Sequence, residues 1–219
     1  MVRKEALWGL FFLMVLVAVN CSSAQLNPIP WDPNRPIEWS DFLGVPPGRP
    51  MAEAAMIDMR VSWRVKYVVF YEPDIGVWQG KVPVDQVWVE NTMDPSGSWF
   101  IPGEVNAALL DHERRHFDLN EVYARRLRRE LAGIRVSGKS ADEVKRALSA
   151  RINKTAGTIL SILAGMQKLY DAETSHGTDL SAQSSWDVQI DGWLNDPLSA
   201  PATVGGMGTG SGTMSVQSG

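Results

Sequence analysis

Apolar residues recur at helical spacing through Val105, Ala108, Leu109, Leu119, Tyr123 and Leu127, and His112 and His116 fall on the same stripe. A stripe of that kind packs inward. Any fold open to this chain therefore buries two imidazoles one turn apart on one helix face. Pro102-Gly103 breaks the chain just before the stretch, and Glu104 suits a first helical turn. The expected helix runs from about Glu104 to about Leu131.

The histidines bracket a motif, His112-Glu113-Arg114-Arg115-His116, of the form HExxH. Two imidazoles at i and i+4 can share one Zn²⁺ at about 2.0–2.1 Å each. Glu113 lies between them, where a carboxylate can take a proton from a metal-bound water and pass it to a leaving amine. The competing expectation is a helix with two buried, hydrogen-bonded histidines and a surface ion pair from Glu113. A catalytic zinc usually has three protein ligands and one open position. Candidates for the third lie in Tyr170-Asp171-Ala172-Glu173-Thr174-Ser175-His176-Gly177. His176 is the last of the three histidines, and Gly177 lets the chain turn there. Glu173 and Asp171 are the alternatives. Asp118 and Asp171 are candidates to accept the second ring N–H of a zinc-bound histidine. Tyr170, with Tyr123 as an alternative, is a candidate donor to a tetrahedral oxyanion; each is also a natural core tyrosine.

The chain opens Met-Val-Arg-Lys and continues with an apolar run from Ala6 to Val19. That is the pattern of a signal peptide, with cleavage expected after Ala24, so that residues 1–24 are removed. Cys21 offers a second reading as the lipidated first residue of an anchored protein. Either way the domain is expected outside the cytoplasm, secreted or in the periplasm or cell envelope, with no membrane span in the mature chain. Cys21 is the only cysteine, so the mature domain has neither a disulfide nor a thiolate zinc site. A net charge of −4 argues against nucleic acid. The local basic run Arg125-Arg126-Leu127-Arg128-Arg129 reads as the solvated face of a helix C-terminal half.

Between the signal and the motif, Asn27 to Pro50 is Pro-rich and reads as a covering loop onto which Trp39 and Phe42 pack. Alternation from Met56 to Tyr71, with Ile57, Met59, Val61, Trp63, Val65, Tyr67 and Val69 on one side, predicts a strand or a bent pair. Val82 to Glu90 alternates again, and Ser98 to Ile101 is a third apolar run. After the motif helix, Gly133 and Gly138 mark a connection. Ser140-Ala141-Asp142-Glu143 opens a long amphipathic helix with the stripe Val144, Leu148, Ile152, Ile159, Leu163, Met166 and Tyr170. A shorter helix holds Trp186, Ile190 and Trp193. Strands followed by helices predict one α+β domain over residues 25–196. Residues 197–219 are Gly/Ser-rich without periodicity and are expected to be a disordered tail.

Three stretches carry a family resemblance: Ile37-Glu38-Trp39-Ser40-Asp41-Phe42 with Gly44 and Pro46-Pro47; His112 to Asp118; and Tyr170 to Gly177 followed by Gln183 and Trp186. In these the chain resembles a family of secreted bacterial zinc-dependent proteases, predicted as such and formerly a domain of unknown function. The resemblance implies a zincin-like fold, a small mostly antiparallel sheet packed on the HExxH helix and a second long helix. It implies metallopeptidase activity with Zn²⁺ and a peptide or protein substrate, and adds weight to His176 as third ligand. With the apolar character of Trp99–Ile101, it makes that run the expected edge for an extended peptide. The resemblance supplies no particular substrate. A metal-stabilised envelope module without turnover, or a metallohydrolase acting on cell-wall amide bonds, are the alternatives the motif leaves open.

Overall fold

A computed structural model describes residues 27–48 and 53–204. The expected signal peptide, with Cys21, and residues beyond 204 lie outside the described residues. In chain order the elements are β1 (Ile29–Pro30), β2 (Ala55–Met56), β3 (Met59–Val65), β4 (Val68–Glu72), β5 (Val77–Lys81), β6 (Val87–Met93), β7 (Trp99–Phe100), α1 (Ala107–Ala132), β8 (Arg135–Gly138), α2 (Ala141–Thr174) and α3 (Leu180–Asn195). The class is α+β, with three small sheets ordered β1-β6-β3, β2-β7 and β4-β5-β8, every pairing antiparallel.

The alternation read from Met56 to Tyr71 resolves into β3 and β4, which belong to different sheets. In β3, Val61, Trp63 and Val65 pack on the core while Arg60, Ser62 and Arg64 face solvent. The period breaks at Lys66-Tyr67, where the chain leaves one sheet for the other, so Tyr67 is exposed instead of inward. The strand expected at Val82 to Glu90 lies further on, at Val87–Met93. Val82 is buried, but Pro83 starts a short 3-10 turn over Val84–Gln86, and Val84 is exposed. Strands β5 and β8 were not expected. They pair with each other, Gln79 opposite Ser137, across more than fifty residues of chain, and β8 is too short to show a period of its own.

Asn106 caps α1, its side chain accepting from the Leu109 N–H, so the helix begins at Ala107, three residues past the expected Glu104. Ser140 caps α2 by accepting from the Glu143 N–H, and Glu143 turns back to accept from the Lys139 N–H. All seven residues of the expected α2 stripe are buried, as are Trp186, Ile190 and Trp193 of α3. The helices α1 and α2 run antiparallel, His112 beside Asp171 and His116 beside Gln167. They pack over the inner faces of the sheets, sharing one apolar cluster that includes Leu127, Leu131, Val144 and Leu148. A smaller cluster, Ile37, Phe42, Ile57, Met93 and Phe117, seats the Pro-rich lead with Trp39 at its edge.

The basic run on α1 is not a solvated face. Arg125 donates to the Leu194 carbonyl, Arg126 to the carbonyls of Ala200 and Pro201, and Arg129 pairs with Asp196. These guanidinium contacts, with Tyr123 donating to Pro201 O at 3.0 Å, hold the start of the expected tail onto the domain. Ala200 is buried, so packed chain extends past the expected boundary at residue 196. No helix among the described residues is long and apolar enough to cross a membrane.

Candidate metal centre

The fourth and eighth positions of α2 counted back from its C-terminus meet the HExxH turn of α1. Asp171 Oδ1 lies 2.8 Å from His116 Nε2 and 3.2 Å from His112 Nε2, and the two Nε2 atoms are 3.1 Å apart. Among the described residues, His112, His116 and Asp171 form a group able to hold a metal ion. Three nitrogen and oxygen donors that converge on one point suit a small divalent cation of borderline hardness. Both histidines are buried, and they are held by more than the helix. Tyr170 stacks on His112 with ring centroids 4.6 Å apart, and Gly177 packs against the base of the same side chain. A Cβ built on Gly177 would stand 2.8 Å from His112 Cβ, and its φ of +77° is one that glycine adopts freely.

The second nitrogens of both rings face glutamines. His112 Nδ1 is 3.1 Å from Gln183 Oε1, and His116 Nδ1 is 2.6 Å from Gln167 Oε1. Neither glutamine was singled out for this role. The expected candidate, Asp118, instead accepts from Trp31 Nε1 and Arg115. A long polar side chain on an otherwise apolar helix stripe, such as Gln167 one residue after Met166, was the available signal.

Glu113 is buried and lines the same cleft, with the backbone of Ile57 facing its carboxylate. Burial pushes its carboxyl up from the usual range, against the opposing pull of His116 and His112. Asp171 moves the other way. Burial would raise it, but hydrogen bonds from His112 and His116 hold it far below the ordinary carboxylate value. For His116, burial alone would lower the pKa; the bond to Asp171 and the charges of Glu113 and Asp171 reverse that and raise it. Two carboxylates in one site are thus driven apart, a pattern that separates a proton-transferring group from a permanently ionised one.

His176 sits at the mouth of the cleft. Its Nδ1 is 3.7 Å from Asp171 Oδ1 and its side chain is 51% exposed. Ser175 and His176 both take positive φ, 50° and 54°, so that three successive left-handed residues reverse the chain after α2. Glu173, the other alternative, accepts from Trp186 Nε1 at 2.9 Å and points away from the centre. Tyr170 is wholly buried; its hydroxyl exchanges hydrogen bonds with Gln183 and lies 3.3 Å from the His112 carbonyl. Burial pushes its pKa up, with the Gln183 bond opposing. Tyr123 has its hydroxyl on Pro201 and its pKa pushed up to about 12 by burial, away from the centre.

The cleft above the donors has a volume of about 870 Å³. One wall is the extended segment 53–57 with Met59; the other is the start of α1 and the turn Ser175–Thr178. The strand that lines the cleft is β2, which pairs with β7; the Trp99–Ile101 run itself does not line it.

Residues 96–177 match a family described as a bacterial protein of unknown function (DUF922). The match contains the HExxH turn, Gln167, Asp171 and His176, and ends before Gln183. No curated protein and no solved structure matches the chain.

Proposed function

We propose that this protein is a secreted zinc-dependent peptidase. The observation that carries the reading is the convergence of His112 Nε2, His116 Nε2 and Asp171 Oδ1 on one point, with the Glu113 carboxyl beside them in an open cleft. A Zn²⁺ ion held there would make a bound water acidic near neutral pH and polarise a carbonyl. Glu113, buried and with a raised pKa, is suited to accept the water's proton and to return it to the departing amine. Asp171, held ionised, is suited to ligation. Extended peptide would lie along the 53–57 wall, and a zincin-like arrangement of edge strand over motif helix accords with that wall. Tyr170, expected as an oxyanion donor, is placed to support His112, since its ring stacks on the imidazole and its hydroxyl is engaged behind it. Export rests on the N-terminal pattern alone.

The geometry brings Asp171 closer to the pair than His176, the third ligand expected from sequence. Paired substitution decides between them. Zinc stoichiometry of the purified protein, by atomic emission, should be one per chain. Asp171→Ala should release the ion while His176→Ala retains it; the converse result would return the third place to His176. If wild-type protein loaded with Zn²⁺ cleaves no member of a peptide library, the peptidase reading is wrong.

A further inference from the structure

We propose that two directed hydrogen-bond chains fix both imidazoles in the Nδ1–H tautomer, so that both Nε2 lone pairs face the cation. This rests on the metal reading above. Gln167, Asn120, Asn91 and Gln183 are its positioning residues.

The direction of each chain follows from where it ends. Phe117 O is a backbone carbonyl and can only accept. Asn91 Nδ2 donates to it at 3.0 Å, which turns Asn91 Oδ1 toward Asn120, whose Nδ2 lies 3.3 Å away. Asn120 Oδ1 must then accept, and Gln167 Nε2 donates to it at 2.9 Å. The same Gln167 Nε2 donates to the His116 carbonyl at 3.0 Å, a second anchor of the same sense. Gln167 Oε1 is left facing His116 Nδ1 at 2.6 Å, and an amide oxygen cannot donate. His116 Nδ1 therefore carries the proton.

The second chain ends on a carboxylate. Asp187 Oδ1 accepts from Arg115 Nε at 3.1 Å and from Gln183 Nε2 at 2.9 Å. That orients Gln183 with its Oε1 toward His112 Nδ1 at 3.1 Å. His112 Nδ1 carries the proton as well. Amide orientations that are otherwise ambiguous are thus set by groups with only one possible role.

Both acceptors are neutral amides. They orient the rings without adding negative charge, so among the three ligands only Asp171 brings negative charge to the cation. More of the cation's charge is left to act on a bound water than if carboxylates stood behind the rings. The chains also explain why polar residues reach so deep. Asn91 and Asn120 are buried on β6 and α1, yet no buried side-chain polar atom among the described residues lacks a partner.

The test uses the full Zn²⁺-loaded protein. Long-range proton–nitrogen correlation spectra of the imidazoles should show Nδ1–H and a metal-bound Nε2 for both His112 and His116; an Nε2–H on either overturns the proposal. Zinc affinity, measured by competition with a chromophoric chelator, should fall about 10- to 100-fold in Gln167→Leu and in Gln183→Met. Gln167→Glu keeps the acceptor for His116 Nδ1 but loses the donation to the His116 carbonyl and Asn120. It should therefore bind zinc more tightly than Gln167→Leu, a partial rescue that a packing role alone would not give. Wild-type affinity in both Gln167→Leu and Gln183→Met overturns this proposal and leaves the metal reading standing. A wild-type protein that binds no zinc overturns both. If a variant fails to fold, the wild-type spectra still decide the tautomers.

Discussion

The two ends of the α1–α2 pair are packed by opposite means. At one end Leu127, Leu131, Val144 and Leu148 meet in the apolar cluster, where burial itself is the driving force. At the other end the same helices bring together His112, His116, Gln167, Tyr170 and Asp171, all buried or partly so. Polar groups buried there contribute little net stability even when every one is paired. The apolar end holds the helices in register, and the polar end uses that register to point three donors at one place. Stability and chemistry are therefore separable along one pair of helices, and substitutions at the two ends should fail in different ways.

The largest effect is expected at the polar end. Glu113→Gln should lower peptide hydrolysis by about 10²- to 10⁴-fold while zinc stoichiometry stays at the wild-type value. Undiminished turnover would remove Glu113 from the proton path. At the apolar end, Leu148→Ala should cost about 2–5 kcal/mol in denaturant unfolding with zinc stoichiometry unchanged in the folded protein. Loss of zinc from folded Leu148→Ala would show that the two ends are not separable. Gly177→Ala lies on the boundary between the two behaviours. Its left-handed φ and the contact with His112 predict a loss of about 1–3 kcal/mol together with weaker zinc binding. A change in stability alone would mean that the His112 ring is not held by this contact.

The smallest effect is the pH response of the metal-free protein. His116 has a raised pKa, so its contribution to stability is complete below the unfolded value of about 6.5 and is lost as pH rises through the folded one. Asp171 has a depressed pKa, so its contribution is present above about 3.9 and is lost as pH falls through the folded value. This site should therefore favour the metal-free fold most between about pH 4 and 6.5. Added zinc competes with the proton on His116, so the rise in Tm on adding zinc should grow as pH increases above that window. A zinc-induced rise that is flat from pH 6 to 8 would exclude His116 as a ligand.

Local pattern made the helices legible. The stripe of α2 from Val144 to Tyr170, the burial of His112 and His116, and the Ser140 cap depend on neighbours three or four residues apart, which a sequence displays directly. Strand β8 was not legible, because its partner β5 is more than fifty residues away and its four residues are too few to show alternation. Strand β5, although it forms a hairpin with β4, carries no clear alternation in Val77-Trp78-Gln79-Gly80-Lys81. Arg126 looked solvated because nothing nearby in sequence announces the Ala200 and Pro201 carbonyls that it reaches.

The centre divides in the same way. The sequence by itself determined that one helix face carries two imidazoles with a glutamate between them, since helix geometry leaves residues i and i+4 nowhere else to go. Only the tertiary structure decided what meets them. The approach of α2 brings Asp171 Oδ1 within 3.2 Å of both Nε2 atoms and leaves His176 at the mouth, and the packing of α2 and α3 places Gln167 and Gln183 behind the rings. The contacts to the two imidazoles join residues more than fifty positions apart. They depend on how two antiparallel helices settle against a shared core, which no short window of sequence encodes.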